Sequence, residues 1–180
     1  MEYNLDWLMN DYGKFLEKFG LDERSVRGHY SEWQVRSGLD SARDYLWYLF
    51  QVILGETAKQ VTEPVDLQKN NLEIYTAMWF FRTHMEGQRS NELLQLINDT
   101  KIRLWQLELP FHFRVKLSGE PCCAYCDHLH GQFFKPDEIL EHRAFVLDHC
   151  TSETGCSCTI SPIAERDEAG QIILKDSAAN

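Results

Sequence analysis

The sequence predicts a mainly α protein, a helical bundle over residues 1–109 followed by a small α+β cysteine-rich module over 110–180. Three observations predict it. Apolar residues recur at helical spacing from Leu5 to Trp105. At Pro110 the period drops to two, and all six cysteines then fall within the 37 positions from Cys122 to Cys158.

The elements follow in order. Leu5, Leu8, Met9, Tyr12, Phe15, Leu16 and Phe19 make one apolar face of a first helix, and Gly20 stands where a left-handed C-cap would end it. Residues 22–36 are polar with Val26, Tyr30, Trp33 and Val35 interspersed, which suggests a shorter helix closed by Ser37-Gly38. From Asp40 or Ser41, both suitable N-caps, the stretch to Leu54 is apolar nearly all round and belongs at the centre of the bundle. Pro64 interrupts a polar stretch. Asp66 then caps a helix with Leu67, Ile74, Met78 and Met85 on one face, broken near Gly87. Ser90 to about Trp105 gives the next helix. The aromatic and methionine side chains of these long helices read as core packing, since no axial ligand or phosphate loop accompanies them.

Beyond Pro110, Phe111, Phe113, Val115 and Leu117 alternate with His112, Arg114 and Lys116, the pattern of a half-buried strand closed by Ser118-Gly119. A small helix is expected over 136–145 and a second strand over Cys158–Ile163. Ile172–Leu174 would pair with that strand across Asp167–Gly170. Residues 176–180 read as a frayed tail.

Bulk properties narrow the function classes. A chain of 180 residues with 43% hydrophobic and 26% charged side chains can build its own core without a metal. No apolar run approaches the roughly 20 residues of a membrane span, and the N-terminal residues lack the basic start and apolar middle of a signal peptide. A cytoplasmic location is therefore expected, where thiols stay reduced and available as ligands. The formal net charge is −10. Residues 118–180 hold eleven acids against four bases, a net of −7, which opposes binding to phosphate backbones. Arg24, Arg27, Arg36 and Arg43 are the only modest basic concentration.

The cysteines carry the chemistry. Cys123 and Cys126 form a Cys-x-x-Cys pair, a spacing that lets two thiolates face one ion from a tight turn, and a distant second pair completes a tetrahedron suited to zinc. That second pair comes from Cys150, Cys156 and Cys158, a choice the spacing leaves open. Gly155 allows a knuckle turn, and Cys156 and Cys158 would share one side of a strand. Cys122, adjacent to Cys123, should project elsewhere and reads as a bystander, with a register based on Cys122 as the alternative. His128, His130, His142 and His149 widen the ligand set, with His149 able to replace one thiol, while His128 and His130 read as surface residues of the turn. A disulfide framework would need an oxidising compartment, and a thioredoxin-like site would need its Cys-x-x-Cys to open a helix within a βαβ unit. An iron–sulfur cluster would use the same ligands, but zinc is the commoner occupant of this spacing.

The stretch 114–163, with Cys123-Ala-Tyr-Cys126, Leu129-His-Gly131-Gln-Phe133, His149-Cys150 and Gly155-Cys-Ser-Cys158-Thr159, resembles the C-terminal motif of phage head-morphogenesis (minor head) proteins. That family shows a Cys-x-x-Cys followed by an aliphatic residue, Gly and an aromatic, and closes on a His-rich Cys-x-Cys strand. Ser157 stands where the family usually has Arg, Leu147 and Asp148 stand where it has prolines, and the first 110 residues do not resemble it. The resemblance implies a metal-binding module in a virion-assembly or prophage setting, with Cys123, Cys126, Cys156 and Cys158 carried over and Cys150 as an extra thiol. It implies no activity.

Three functions follow as expectations. The first is a non-enzymatic zinc-binding protein with a closed four-thiolate structural site, presenting a surface to a protein partner. The second is a zinc-dependent hydrolase in which three ligands leave room for water and Glu138, Glu141 or His142 acts as base. The third, a nucleic-acid-binding zinc module, is opposed by the local charge. No nucleophilic-serine motif, phosphate loop, dinucleotide fingerprint or His-Glu-x-x-His is present.

Overall fold

The structure, a computed structural model, describes residues 3–118, 123–144, 147–153 and 155–175. They build a mainly helical protein with seven α-helices and one small three-stranded antiparallel sheet. The chain divides into two compact units, Met1–Gln60 and Val61–Asn180. The packing boundary thus falls at Gln60, whereas the hydrophobic period changes at 110. The fourth and fifth helices share a unit with the sheet and the cysteines.

In the first unit, α1 (Leu5–Lys18) opens on Asn4, whose side-chain oxygen accepts the Trp7 N–H at 2.9 Å, and it buries Trp7, Leu8, Tyr12 and Leu16. Its C-cap is Phe19, and Gly20 follows at φ +80°. Helix α2 (Glu23–Ser37) is capped by Asp22, which accepts the Ser25 N–H at 2.8 Å, and ends on Gly38 at φ +69°. That N–H bond holds the Asp22 carboxyl below its ordinary pKa. Helix α3 (Ala42–Gln60) buries the stripe Ala42, Tyr45, Leu46, Leu49, Phe50 and Ile53. Ser41 caps it, its hydroxyl accepting the Asp44 N–H at 3.4 Å. The Tyr45 hydroxyl donates to the Val26 carbonyl at 3.0 Å and so ties α3 to α2.

In the second unit, α4 (Pro64–Phe80) begins earlier than Asp66 suggested. Pro64 takes the first helical position, where its missing N–H leaves no hydrogen bond unmade, Glu63 is the N-cap, and Asp66 lies in the first turn. A single π-helical turn, Phe81–Met85, ends it before Gly87 at φ +63°. Helix α5 (Asn91–Glu108) packs along α4 and runs on past Trp105.

Strand β1 (Phe113–Ser118) is central, flanked by β2 (Phe133–Phe134) and β3 (Thr159–Ala164). Its register with β3 runs from Phe113 opposite Ala164 to Ser118 opposite Thr159. Phe113, Val115 and Leu117 point inward, as the alternation requires. Phe111 lies outside the strand in a single bridge to Leu174, and Arg166 bridges Ile172 across a turn in which Asp167 accepts the Ala169 and Gln171 N–H groups. The expected hairpin is thus reduced to isolated bridges. Strand β2 had no counterpart in the sequence reading. The expected positions Cys122, Gly119 and Phe145 and the tail 176–180 lie outside the described residues.

Candidate metal centre

Cys123 is the N-cap of α6 (Ala124–Leu129), and Cys126 sits in its first turn, with the Asp127 N–H bonded to the Cys123 carbonyl at 2.9 Å. The Cys-x-x-Cys pair therefore opens a short helix and is not a free turn, which corrects the expectation. The context is still not that of a thioredoxin. Strands β1 and β2, on either side of α6, are antiparallel, so no βαβ crossover exists there. Gly131, at φ +77°, returns the chain to the sheet by donating its N–H to the Leu117 carbonyl at 2.8 Å.

The later thiols arrive on two further devices. A 3₁₀ turn, Leu147–His149, delivers Cys150, whose N–H bonds the Leu147 carbonyl at 2.9 Å. Gly155 takes φ +92°, a left-handed conformation that side chains resist, and directs Cys156 toward the cluster. Cys156 and Cys158 both precede β3, so they do not share a strand face as expected. The Cys158 N–H instead points at the Cys156 sulfur, 3.5 Å away. The helix expected over 136–145 is only α7 (Pro136–Leu140), after which Arg143 adopts φ +51°.

Five thiols converge. Cys123, Cys126 and Cys150 form one group and Cys126, Cys156 and Cys158 another, the ligand atoms of each lying within 4.8 Å of one another. Cys126 belongs to both. The Cys123 and Cys150 sulfurs are 3.8 Å apart and those of Cys126 and Cys156 3.7 Å apart. With metal–sulfur bonds of about 2.3 Å, the edge of a four-thiolate tetrahedron is ~3.8 Å. No disulfide joins these five thiols, and either group could hold a metal ion.

The surroundings suit ligation. Cys126 and Cys150 are each 1% exposed and Cys158 5%, within an apolar cluster that includes Val115, Leu117, Leu129, Ile139, Leu147 and Ile160. Cys123 is half-buried. Its sulfur accepts the backbone N–H of Cys126 and then that of Thr151, which outweigh desolvation and, with the neighbouring Cys126 and Cys150 thiols, bring its pKa down to about 6. A thiolate is the form that binds metal.

Among the described residues, neither group includes a histidine or carboxylate. His128 and His130 are exposed, and the His149 ring packs edge-on against Tyr125 at 5.3 Å. Glu138 accepts the Lys135 N–H at 2.6 Å as part of the α7 cap, and Glu141 and His142 are exposed just beyond that helix.

Sequence reading missed a polar row on α5. The Asn91 side chain donates to the Leu147 carbonyl at 2.9 Å and accepts the Cys156 N–H at 3.0 Å. Gln95 accepts the Leu147 N–H at 3.0 Å and donates to Asp99 at 2.8 Å, and Asp99 pairs with Arg143 at 2.6 Å. The only signal was the i, i+4, i+8 spacing of three polar residues on a helix otherwise judged by its apolar positions.

No helix of the described residues is long and apolar enough to cross a membrane. Comparison with protein-family models, with curated proteins and with solved structures finds no match to this chain.

Proposed function

We propose that this is a non-enzymatic zinc-binding protein whose cysteine cluster holds one structural zinc in a closed four-thiolate site. The zinc would stabilise residues 110–180 as a module that engages a protein partner. The observation that carries this reading is the pair of thiol separations, 3.7 and 3.8 Å, in groups that share the buried Cys126. Four thiolates leave zinc no open position and hence no activated water. Cys123 and Cys126 would supply the first pair, and two of Cys150, Cys156 and Cys158 the second. The resemblance of 114–163 to the minor head protein motif supports a virion-assembly or prophage setting, and the net charge of −7 over 118–180 favours a protein partner over a nucleic acid.

Elemental analysis of protein purified without a metal-affinity tag, with thiol counting before and after chelation, tests the site. About one zinc per chain and four thiols released by chelation is the expected result. Absence of metal, or iron in its place, overturns it.

A further inference from the structure

One side chain outside the cysteine cluster bonds the backbone of one thiol group directly and meets the other at a shared carbonyl oxygen. We infer that Asn91 is the positioning residue of the metal centre, setting the spacing between its two thiol groups, with Gln95 and Asp99 holding the same segment from behind. This rests on the metal-binding reading above.

Cys150 belongs to the group with Cys123, and Cys156 to the group with Cys158. Asn91 reaches both. Its side-chain oxygen takes the Cys156 N–H directly, and its NH₂ group donates to the Leu147 carbonyl, the same oxygen that accepts the Cys150 N–H. The Leu147 carbonyl thus uses both lone pairs, one on Asn91 and one on Cys150. An amide is required for this: a carboxylate cannot donate to Leu147, and an apolar side chain would leave the half-buried Cys156 N–H without this acceptor and the Leu147 carbonyl with one partner in place of two. The site is enclosed, with Asn91 5% exposed. Gly155 contributes through its φ of +92°, which a residue with a side chain resists; the 3.6 Å from a Cβ there to the Asn91 side-chain oxygen is an ordinary contact.

Behind Asn91 the row continues on one face of α5. Gln95 accepts the Leu147 N–H, so both polar backbone groups of Leu147 end on α5, and Gln95 is itself held by Asp99, which is charged-paired with Arg143. The segment carrying Cys150 is therefore fixed to a long helix at Arg143 and Leu147. Outer-shell hydrogen bonds of this kind orient ligands and raise affinity.

The test compares the full chain with Asn91→Leu, Asn91→Asp and, as a packing control on the same helix, Ile97→Val. Zinc affinity is measured by chelator competition, and the visible spectrum is recorded with cobalt in place of zinc. Expected is a loss of about 10- to 100-fold in affinity for Asn91→Leu with a shifted cobalt spectrum, and a smaller loss for Asn91→Asp, which keeps the acceptor for Cys156. Ile97→Val should lower the melting temperature and leave affinity and spectrum alone. An Asn91→Leu protein with the wild-type affinity and spectrum, and a shifted melting temperature only, overturns the inference. Should Asn91→Leu not fold, Asn91→Asp decides by the same criteria. A wild-type chain that takes up neither zinc nor cobalt instead defeats the metal reading, and that outcome is read before any variant is made.

Discussion

Gly155 offers a place where the geometry separates two physical effects that a substitution usually mixes. Its φ of +92° would strain any residue with a side chain, yet a Cβ built there meets nothing closer than the Asn91 oxygen at 3.6 Å and Arg89 Cγ at 3.9 Å, both ordinary contacts. Gly155→Ala should therefore act through backbone strain alone. Left-handed conformations disfavour L-residues by about 1–2 kcal/mol. Removing glycine also restricts the unfolded chain, which offsets roughly 0.4–1 kcal/mol. The net loss is about 1 kcal/mol. Asn, which tolerates positive φ, should lose less than Ala, and the β-branched Val should lose more. Urea titration of the purified protein, followed by the reactivity of Cys126 and Cys150, isolates the module, because residues 1–60 contain no cysteine and these two thiols are 1% exposed. Equal stability of the Ala, Asn and Val variants, or a loss for Ala above ~3 kcal/mol, would refute the reasoning: the first denies the strain, and the second requires a collision that the 3.6 Å contact does not contain.

Two further outcomes follow from individual groups. Burial, and then the neighbouring Tyr48 and Tyr30, push the Tyr45 phenol up to about 12. Its folded form therefore keeps a proton that the unfolded chain gives up near pH 10, so its contribution is complete below pH ~10 and is lost as pH rises through 12. Tyr45→Phe should weaken the first unit by about 1 kcal/mol at neutral pH and flatten this alkaline decline, as read by denaturant unfolding at pH 7.5 and 11; an unchanged slope would contradict it. Metal-free folded protein should alkylate at Cys123 with a midpoint near pH 6, set by the N–H donors from Cys126 and Thr151, and peptide mapping after brief iodoacetamide exposure should show that site leading the other cysteines. A midpoint near 8.5 would contradict it.

Most of the fold was legible because its causes are local. The N-cap Ser41, the left-handed Gly38 and the alternation over 113–117 each act within a few residues. The errors have the same origin. Aspartate caps helices well, which points to Asp66, yet Pro64 suits the first helical position better and starts the helix sooner. The helix at Cys123–Cys126 escaped notice because six residues carry too little periodicity to register, and β2, with two residues, carries none. The five thiols were legible as a cluster, but their division into two groups sharing Cys126 depends on where α6, the 3₁₀ turn and Gly155 place them in space. The role of Asn91 was beyond reach, since its two partners lie 56 and 65 residues away in the chain.

The register of β1 and β3 bears on how the chain finds its fold. Ser118 and Thr159, which pair at the end of the ladder nearest the cysteines, are 41 residues apart in sequence, and a slip of one residue would turn Leu117 and Ile160 out of the core. Pairing of that range is slow to find, because the loop must close before any contact rewards it. Cys123 follows β1 by a few residues, and Cys158 is the last residue before β3. An ion captured early by thiols from both segments would shorten the search to the few residues between each thiol and its strand. Such an ion would then govern refolding speed as well as final stability, with slow, slip-prone strand pairing wherever it is withheld.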